Sequence, residues 1–270
     1  MKDKRLFLMI PMVIFVAMLA VPYIGAQPAG PVAPKQDEKQ AMVLVNRMAE
    51  FLANAKSFSV TADIGFDAVQ SSGQKIEFGE TRAIVLERPN HLRIDETKRD
   101  GTKSELIFDG KSIALTHTRE NVYAIEPKPG TVDDMIEYLV NGLDMRVPLA
   151  EMLSTQLPKL LAEKVQEAAF VEDSSIAGVP CDHLALRGDE VDLQVWVAKG
   201  AQPLPQRVVI TYKKIDGRPQ FWAQFSDWNL APKISESLFV FTPPSGAAKI
   251  AFSIRQIAPP GKIEAKGGKK

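Results

Sequence analysis

Apolar and polar residues alternate with a period of two over most of this chain. From Phe58 to Ala68, Phe58, Val60, Ala62, Ile64, Phe66 and Ala68 fall on one side, and Ser59, Thr61, Asp63 and Asp67 on the other. That pattern predicts a strand with one buried and one wet face. Ser71-Ser72-Gly73 turns the chain into a strand over Lys75 to Leu86, Arg88-Pro89-Asn90 breaks it, and His91 to Glu96 resumes it. Ser104 to Phe108, Lys111 to Thr118 and Val122 to Ile125 follow, with Asp109-Gly110 as the clearest hairpin signal. Strands are predicted again over Ala168 to Ile176, Val179 to Arg187, Val191 to Ala198, Gln206 to Ile215, Gln220 to Leu230 and Phe239 to Thr242, with Ile250 to Ile257 as a further edge. Roughly eleven strands joined mainly by short turns imply one antiparallel meander, because parallel neighbours would need crossover helices. A sheet that long must curl or close.

Two stretches change period. Asp37 to Lys56 places Leu44, Met48, Phe51 and Ala55 at helical spacing, with Asp37 as its N-cap. Thr131 heads a second helix with Val132, Met135, Ile136, Leu139 and Leu143 on one face and Asp133 and Asp134 in the first turn, where the helix dipole favours anions. Short helices over Leu149 to Leu153 and Lys159 to Glu167 complete a helical block at about 131–167, read as an insertion in a β-protein.

The ends read differently. Met1 to Ala26 has a basic start (Lys2, Lys4, Arg5), an apolar run and the small residues Ile24-Gly25-Ala26, the layout of a cleavable export signal. The alternative is an uncleaved anchor in the inner membrane, the one membrane contact that the sequence suggests. Residues 27–36 form a Pro/Gly/Ala linker, 37–257 a single domain, and 258–270 a basic, disordered tail. The chain has 33 Lys plus Arg against 33 Asp plus Glu. Without Lys2, Lys4, Arg5 and Asp3 it keeps 30 cations and 32 anions, and without the tail's four lysines and Glu264 it is more acidic still. Such a balance gives no basic footprint for nucleic acid. The single Cys181 forbids an intrachain disulfide, so an exported fold must rest on its core.

Catalytic chemistry is sparse. No G-x-S-x-G, P-loop, G-x-G-x-x-G, H-E-x-x-H or C-x-x-C occurs, and His91, His117 and His183 fall in three separate strands. Cys181 and His183 share a strand face, and Asp189, Glu190 and Asp192 cluster in a turn. A buried thiol beside a satisfied imidazole and a solvated hairpin account for them, since neither set has a complete ligand pattern. Asp133, Asp134 and Glu137 are explained by capping and dipole alone. No catalytic residue, metal site or cofactor is expected. Trp196, Trp222 and Trp228 with Phe221, Phe225 and Phe241 are read as core, or as lining for a long apolar ligand.

Several segments together resemble a known family. Glu87-Arg88-Pro89-Asn90-His91-Leu92-Arg93 and Phe108-Asp109-Gly110-Lys111 are similar to a pattern of the outer-membrane lipoprotein carrier (LolA-like) superfamily. Ile176 to Leu184, Val195-Trp196-Val197, Pro203 to Arg207, Asp227 to Leu230 and Phe239 to Ala247 resemble a bacterial family of predicted periplasmic proteins within it. The resemblance spans about 37–254 of this chain. It implies a mainly β fold, an incomplete, strongly curved antiparallel barrel with helices across its concave face. It also implies a periplasmic, non-enzymatic carrier for a lipid acyl chain or lipoprotein. The cavity and its lid would be lined by Phe58, Val60, Ile64, Phe66, Met135, Ile136, Leu139, Leu143, Trp196 and Trp222, with Arg93 as the basic residue at the gate. The competing expectation is an envelope-sensing module with a filled barrel and a protein partner, and the third is a hydrolase with an unrecognised site.

Overall fold

The computed structural model describes residues 35–143 and 147–252, and the segment read as an export signal and the basic tail lie outside them. Six strands run first: β1 Ser57–Val69, β2 Lys75–Glu87, β3 His91–Lys98, β4 Lys103–Phe108, β5 Ser112–His117 and β6 Val122–Pro127. Five more follow the helical block, β7 Glu167–Ile176, β8 Val179–Arg187, β9 Val191–Ala198, β10 Pro205–Tyr212 and β11 Gln220–Asn229, and the two-residue β12 Ala248–Lys249 comes last. All twelve join one curved, unclosed sheet in the order β12-β6-β5-β4-β3-β2-β1-β11-β10-β9-β8-β7. Every pairing is antiparallel except β12 on β6.

The turns behave as their residues require. Asp109 accepts from the backbone N–H groups of Lys111 (2.9 Å) and Ser112 (2.8 Å), and Gly110 takes φ +79°. Ala177 and Gly178 both adopt positive φ, +49° and +83°, as the tight β7–β8 hairpin demands.

The expected single meander is in fact two, β1–β6 and β7–β11, zipped together where β1 pairs with β11. The chain leaves at β6, beside one edge, and returns at β7, the opposite edge. The helical block is therefore no insertion: it is the connection that must cross the whole sheet. It consists of α2 Val132–Glu137, a π-helical turn Tyr138–Gly142, a 3-10 turn Ala150–Leu153 and α3 Leu157–Lys164, with Pro158 in the first turn. Thr131 caps α2 in a full capping box with Asp134.

The N-terminal helix α1, Lys35–Asn54, already covers Asp37, which is therefore not its cap, and takes in the last residues assigned to the linker. Its buried stripe is Ala41, Val45, Met48, Ala49 and Leu52, rotated from the expected Leu44, Met48, Phe51 and Ala55, of which Leu44, Phe51 and Ala55 are only partly buried. One cluster of buried residues unites this stripe, Val132, Met135, Ile136 and Leu139 of the crossing block, and the inner sheet face of Phe58, Val60, Ala62, Ile64, Leu86, Leu92, Phe108, Leu184, Val195, Val208 and Ala223.

Two further expectations are corrected. Phe239 to Thr242 is not a strand: Glu236–Phe239 is a 3-10 turn whose Phe239 is buried and stacks on His91 at 4.7 Å. The last edge strand is Ala248–Lys249, earlier than Ile250 to Ile257, and residues from 253 lie outside those described.

Candidate functional site

Register assigns each expected site residue to a face. Phe58, Val60 and Ile64 are almost fully buried on the inner face, and Met135, Ile136 and Leu139 meet them from the crossing block. Leu143 and Phe66 pack at the margin of the same cluster, Phe66 stacking on the half-exposed Phe78 at 6.1 Å. These eight residues come together between sheet and helices.

Arg93, Trp196 and Trp222 do not join them. Arg93 pairs with Val85 and Ile107, out of phase with the inner-face residues Leu92 and Ile94. On the outer face it bonds Asp95 (2.9 Å), Glu105 (2.5 Å) and the Leu238 carbonyl (3.1 Å), so it ties down the C-terminal segment from the side opposite the inner layer. Trp196 and Trp222 belong to an outer-face ladder: His183 stacks on Trp196 at 4.0 Å, and Arg207 lies 5.9 Å from the Trp196 ring and 5.1 Å from that of Trp222. Trp222 donates to Glu77 (3.2 Å) and lies over Gly65, where a Cβ would meet its indole at 2.4 Å. Gly65→Ala should therefore displace Trp222, at a cost of about 1–3 kcal/mol. Tryptophan fluorescence and thermal unfolding check this, and an unchanged emission spectrum would refute it.

The inner face also holds a charged cluster missed at the sequence level. Arg82 lies between Glu80 (2.5 Å) and Glu96 (3.3 Å), with side-chain exposures of 12%, 6% and 13%. Burial is the main force raising the Glu80 pKa, opposed by Arg82. A signal was available: Glu80 and Arg82 are in phase with Ile84 and Leu86 on a strand whose inner side is apolar. Arg88, whose own pKa is lowered by burial, donates to the Ala55 carbonyl (3.1 Å) and so holds the C-terminal end of α1.

Nucleophiles and bases stay apart. His91 is paired with Glu87 and His117 with Glu120, while His183 meets Gln194 at 3.1 Å. Cys181 is fully buried, donates to the Val179 carbonyl (3.2 Å) and has its thiol pKa raised by burial, which keeps it protonated and unreactive. Asp189 accepts from Gln166 and Asp192 pairs with Lys213. Among the described residues no three His, Cys, Asp or Glu side chains group as metal ligands.

A groove of about 470 Å³ opens at the C-terminal half of α1, between the start of β1, the β9–β10 loop and the chain after β11. It lies beside the helix-covered core, not beneath the crossing block.

Residues 41–253 match the family described as "Predicted periplasmic protein (DUF2092)". No curated protein matches the chain. Among solved structures, LprF from Mycobacterium bovis is 12% identical with a TM-score of 0.47, over 78% of this chain and 99% of that one. Lipoprotein LppX from Mycobacterium tuberculosis is 13% identical with a TM-score of 0.47, over 73% and 99%. A LolA superfamily protein from Nitrosomonas europaea is 10% identical with a TM-score of 0.38, over 74% and 97%. Among the described residues no helix is long and apolar enough to cross a membrane. By its match over 41–253, this chain belongs to the DUF2092 family of predicted periplasmic proteins.

Proposed function

We propose that the protein is a non-enzymatic periplasmic carrier that holds the acyl chain of a lipid or lipoprotein between the inner sheet face and the crossing helical block. One observation carries this reading: that block is bound to the sheet by apolar packing and hardly otherwise. Among the described residues the hydrogen bonds from residues 131–165 to the rest of the chain are Val132 N–H to the Pro89 carbonyl (2.8 Å) and Tyr138 Oη to Glu126 (3.3 Å), and Gln166, just after α3, bonds the Arg187 carbonyl (2.8 Å) and Asp189 (2.7 Å). Its own pieces are held to one another, by Thr155 on Asp133 and Lys164 on Glu151. Helices of six and eight residues are too short to persist by themselves, so packing holds them in place.

An acyl chain inserted under this block replaces one apolar surface by another. Each methylene it buries contributes about 0.8 kcal/mol, so the exchange costs little beyond the few polar ties. In the present arrangement the two apolar layers pack directly, and admission of a chain requires the block to lift. The separated histidines, each engaged locally, support a binding role over a hydrolytic one.

The test is native mass spectrometry and solvent extraction of protein purified from the periplasm without detergent. A co-purifying acyl lipid, or saturable uptake of a fluorescent fatty acid, is expected. Finding neither would overturn the proposal. It would leave the second reading, an envelope protein-interaction module, which the dense packing of the core favours.

A further inference from the structure

We infer that the groove at the end of α1 receives the anionic head group of the acyl ligand, with Arg47 and Lys56 as its counter-charges; the inference rests on the carrier reading above. The groove's volume of about 470 Å³ falls within the range of small-molecule sites. Its apolar side is formed by Phe51, Ala55, Pro203 and Leu230. Phe51, Ala55 and Leu230 also pack against the buried core, so the groove wall is in direct contact with the helix-covered apolar layer. An amphiphile can lie across this boundary with its chain toward the core and its head at the rim.

The rim selects the sign of that head. Arg47 and Lys56 line the groove and are exposed, and among the described residues neither has a carboxylate partner. Other cations among the described residues, such as Lys103 and Lys233, also lack an ion pair, but Arg47 and Lys56 are the two that line this groove. Arg47 gives one hydrogen bond to the Gly200 carbonyl, which leaves most of its donors for a ligand. Glu50 lines the same groove as its single carboxylate, so the rim has an excess of one positive charge. The partial negative charge at the end of α1 would oppose an anion there, but the Arg88 guanidinium already occupies the Ala55 carbonyl. A carboxylate or phosphate head then gains charge-assisted hydrogen bonds from Arg47 and Lys56 while its chain follows Phe51 and Leu230 inward.

The experiment compares a fluorescent fatty acid with its methyl ester, binding each to the wild type, to the double variant Arg47→Gln/Lys56→Gln and to Glu50→Gln. All three side chains are exposed, so thermal unfolding should be unchanged. The wild type should bind the acid at least about tenfold more tightly than the ester, the ratio that one charge-assisted hydrogen bond supplies. The double variant should lose this preference while keeping its affinity for the ester, and Glu50→Gln should strengthen it. Equal binding of acid and ester by the wild type, or a preference that survives in the double variant, would overturn the head-group site and leave the carrier reading standing. Binding of neither compound would overturn both.

Discussion

Replacing Arg82 by methionine is expected to destabilise the fold by about 3–5 kcal/mol at neutral pH, the usual cost of leaving buried charge unpartnered. Arg82 is the cation between Glu80 and Glu96 on a face otherwise given to apolar packing, and Glu80 is 5% exposed. Without it two carboxylates face each other in a poorly solvated site. Burial already holds the Glu80 pKa above its ordinary value of 4.5 in the native protein. A carboxyl whose pKa is higher in the folded state binds its proton more readily there. The stability it contributes is therefore fully present below the unfolded value and is lost as the pH rises through the folded one. Removing Arg82 raises the Glu80 pKa further, so the gap between variant and wild type should narrow as the pH falls from 7 toward 5. Adding Glu80→Gln should restore much of the loss at pH 7. Urea unfolding at the two pH values measures both effects, and a pH-independent deficit would show that lost packing, not unpaired charge, is responsible.

Phe58→Ala should cost a similar amount, about 3–5 kcal/mol, by opening a void in the core. Phe58 is 1% exposed and packs on the Trp228 ring at 5.4 Å, on the inner face covered by the helices. In an ordinary core that loss is final. If an acyl chain enters the same layer, the void gives it more room, and fatty acid should raise the melting temperature of Phe58→Ala more than that of the wild type. At a free concentration one hundred times the Kd, a ligand specific for the folded state contributes roughly 2.7 kcal/mol, enough to be read in a thermal scan. A large destabilisation that fatty acid does not relieve would make Phe58 a packing residue only.

Much of this architecture was legible in residue order. The bounds of β8 and β9 follow from the turn residues at their ends, and those of β1 from alternation to within a residue at either end, because a period of two admits one assignment of faces where polar residues separate the apolar ones. Thr131 was legible as a cap because it heads an apolar stretch of helical period with Asp133 and Asp134 in its first turn, and the structure adds that Asp134 completes a capping box. The faces of β9 and β11 were not, because Val195-Trp196-Val197 and Phe221-Trp222-Ala223 are apolar on both sides and local pattern cannot say which side the helices cover. Arg93 misled for a related reason: its motif marks a strand, while its side depends on the partner strands. For α1, apolar residues lie on two adjoining stripes, and packing against β7, β8 and β9 buries Ala41, Val45, Met48, Ala49 and Leu52 and not the expected Leu44, Phe51 and Ala55.

Residue order thus settles β1 to β11, most of their turns and the existence of the covering helices, because each depends on local periodicity and backbone chemistry, while the chain after β11 follows neither expected strand. That β1 and β11 meet, and that the crossing block therefore joins opposite edges of the sheet, is visible in the folded chain alone. The tertiary structure also turned the tryptophan ladder outward, buried Arg82 between two carboxylates and placed Arg47 and Lys56 at one groove. Each of these unites residues far apart in the chain, and which of them meet is settled by long-range strand pairing and shared burial.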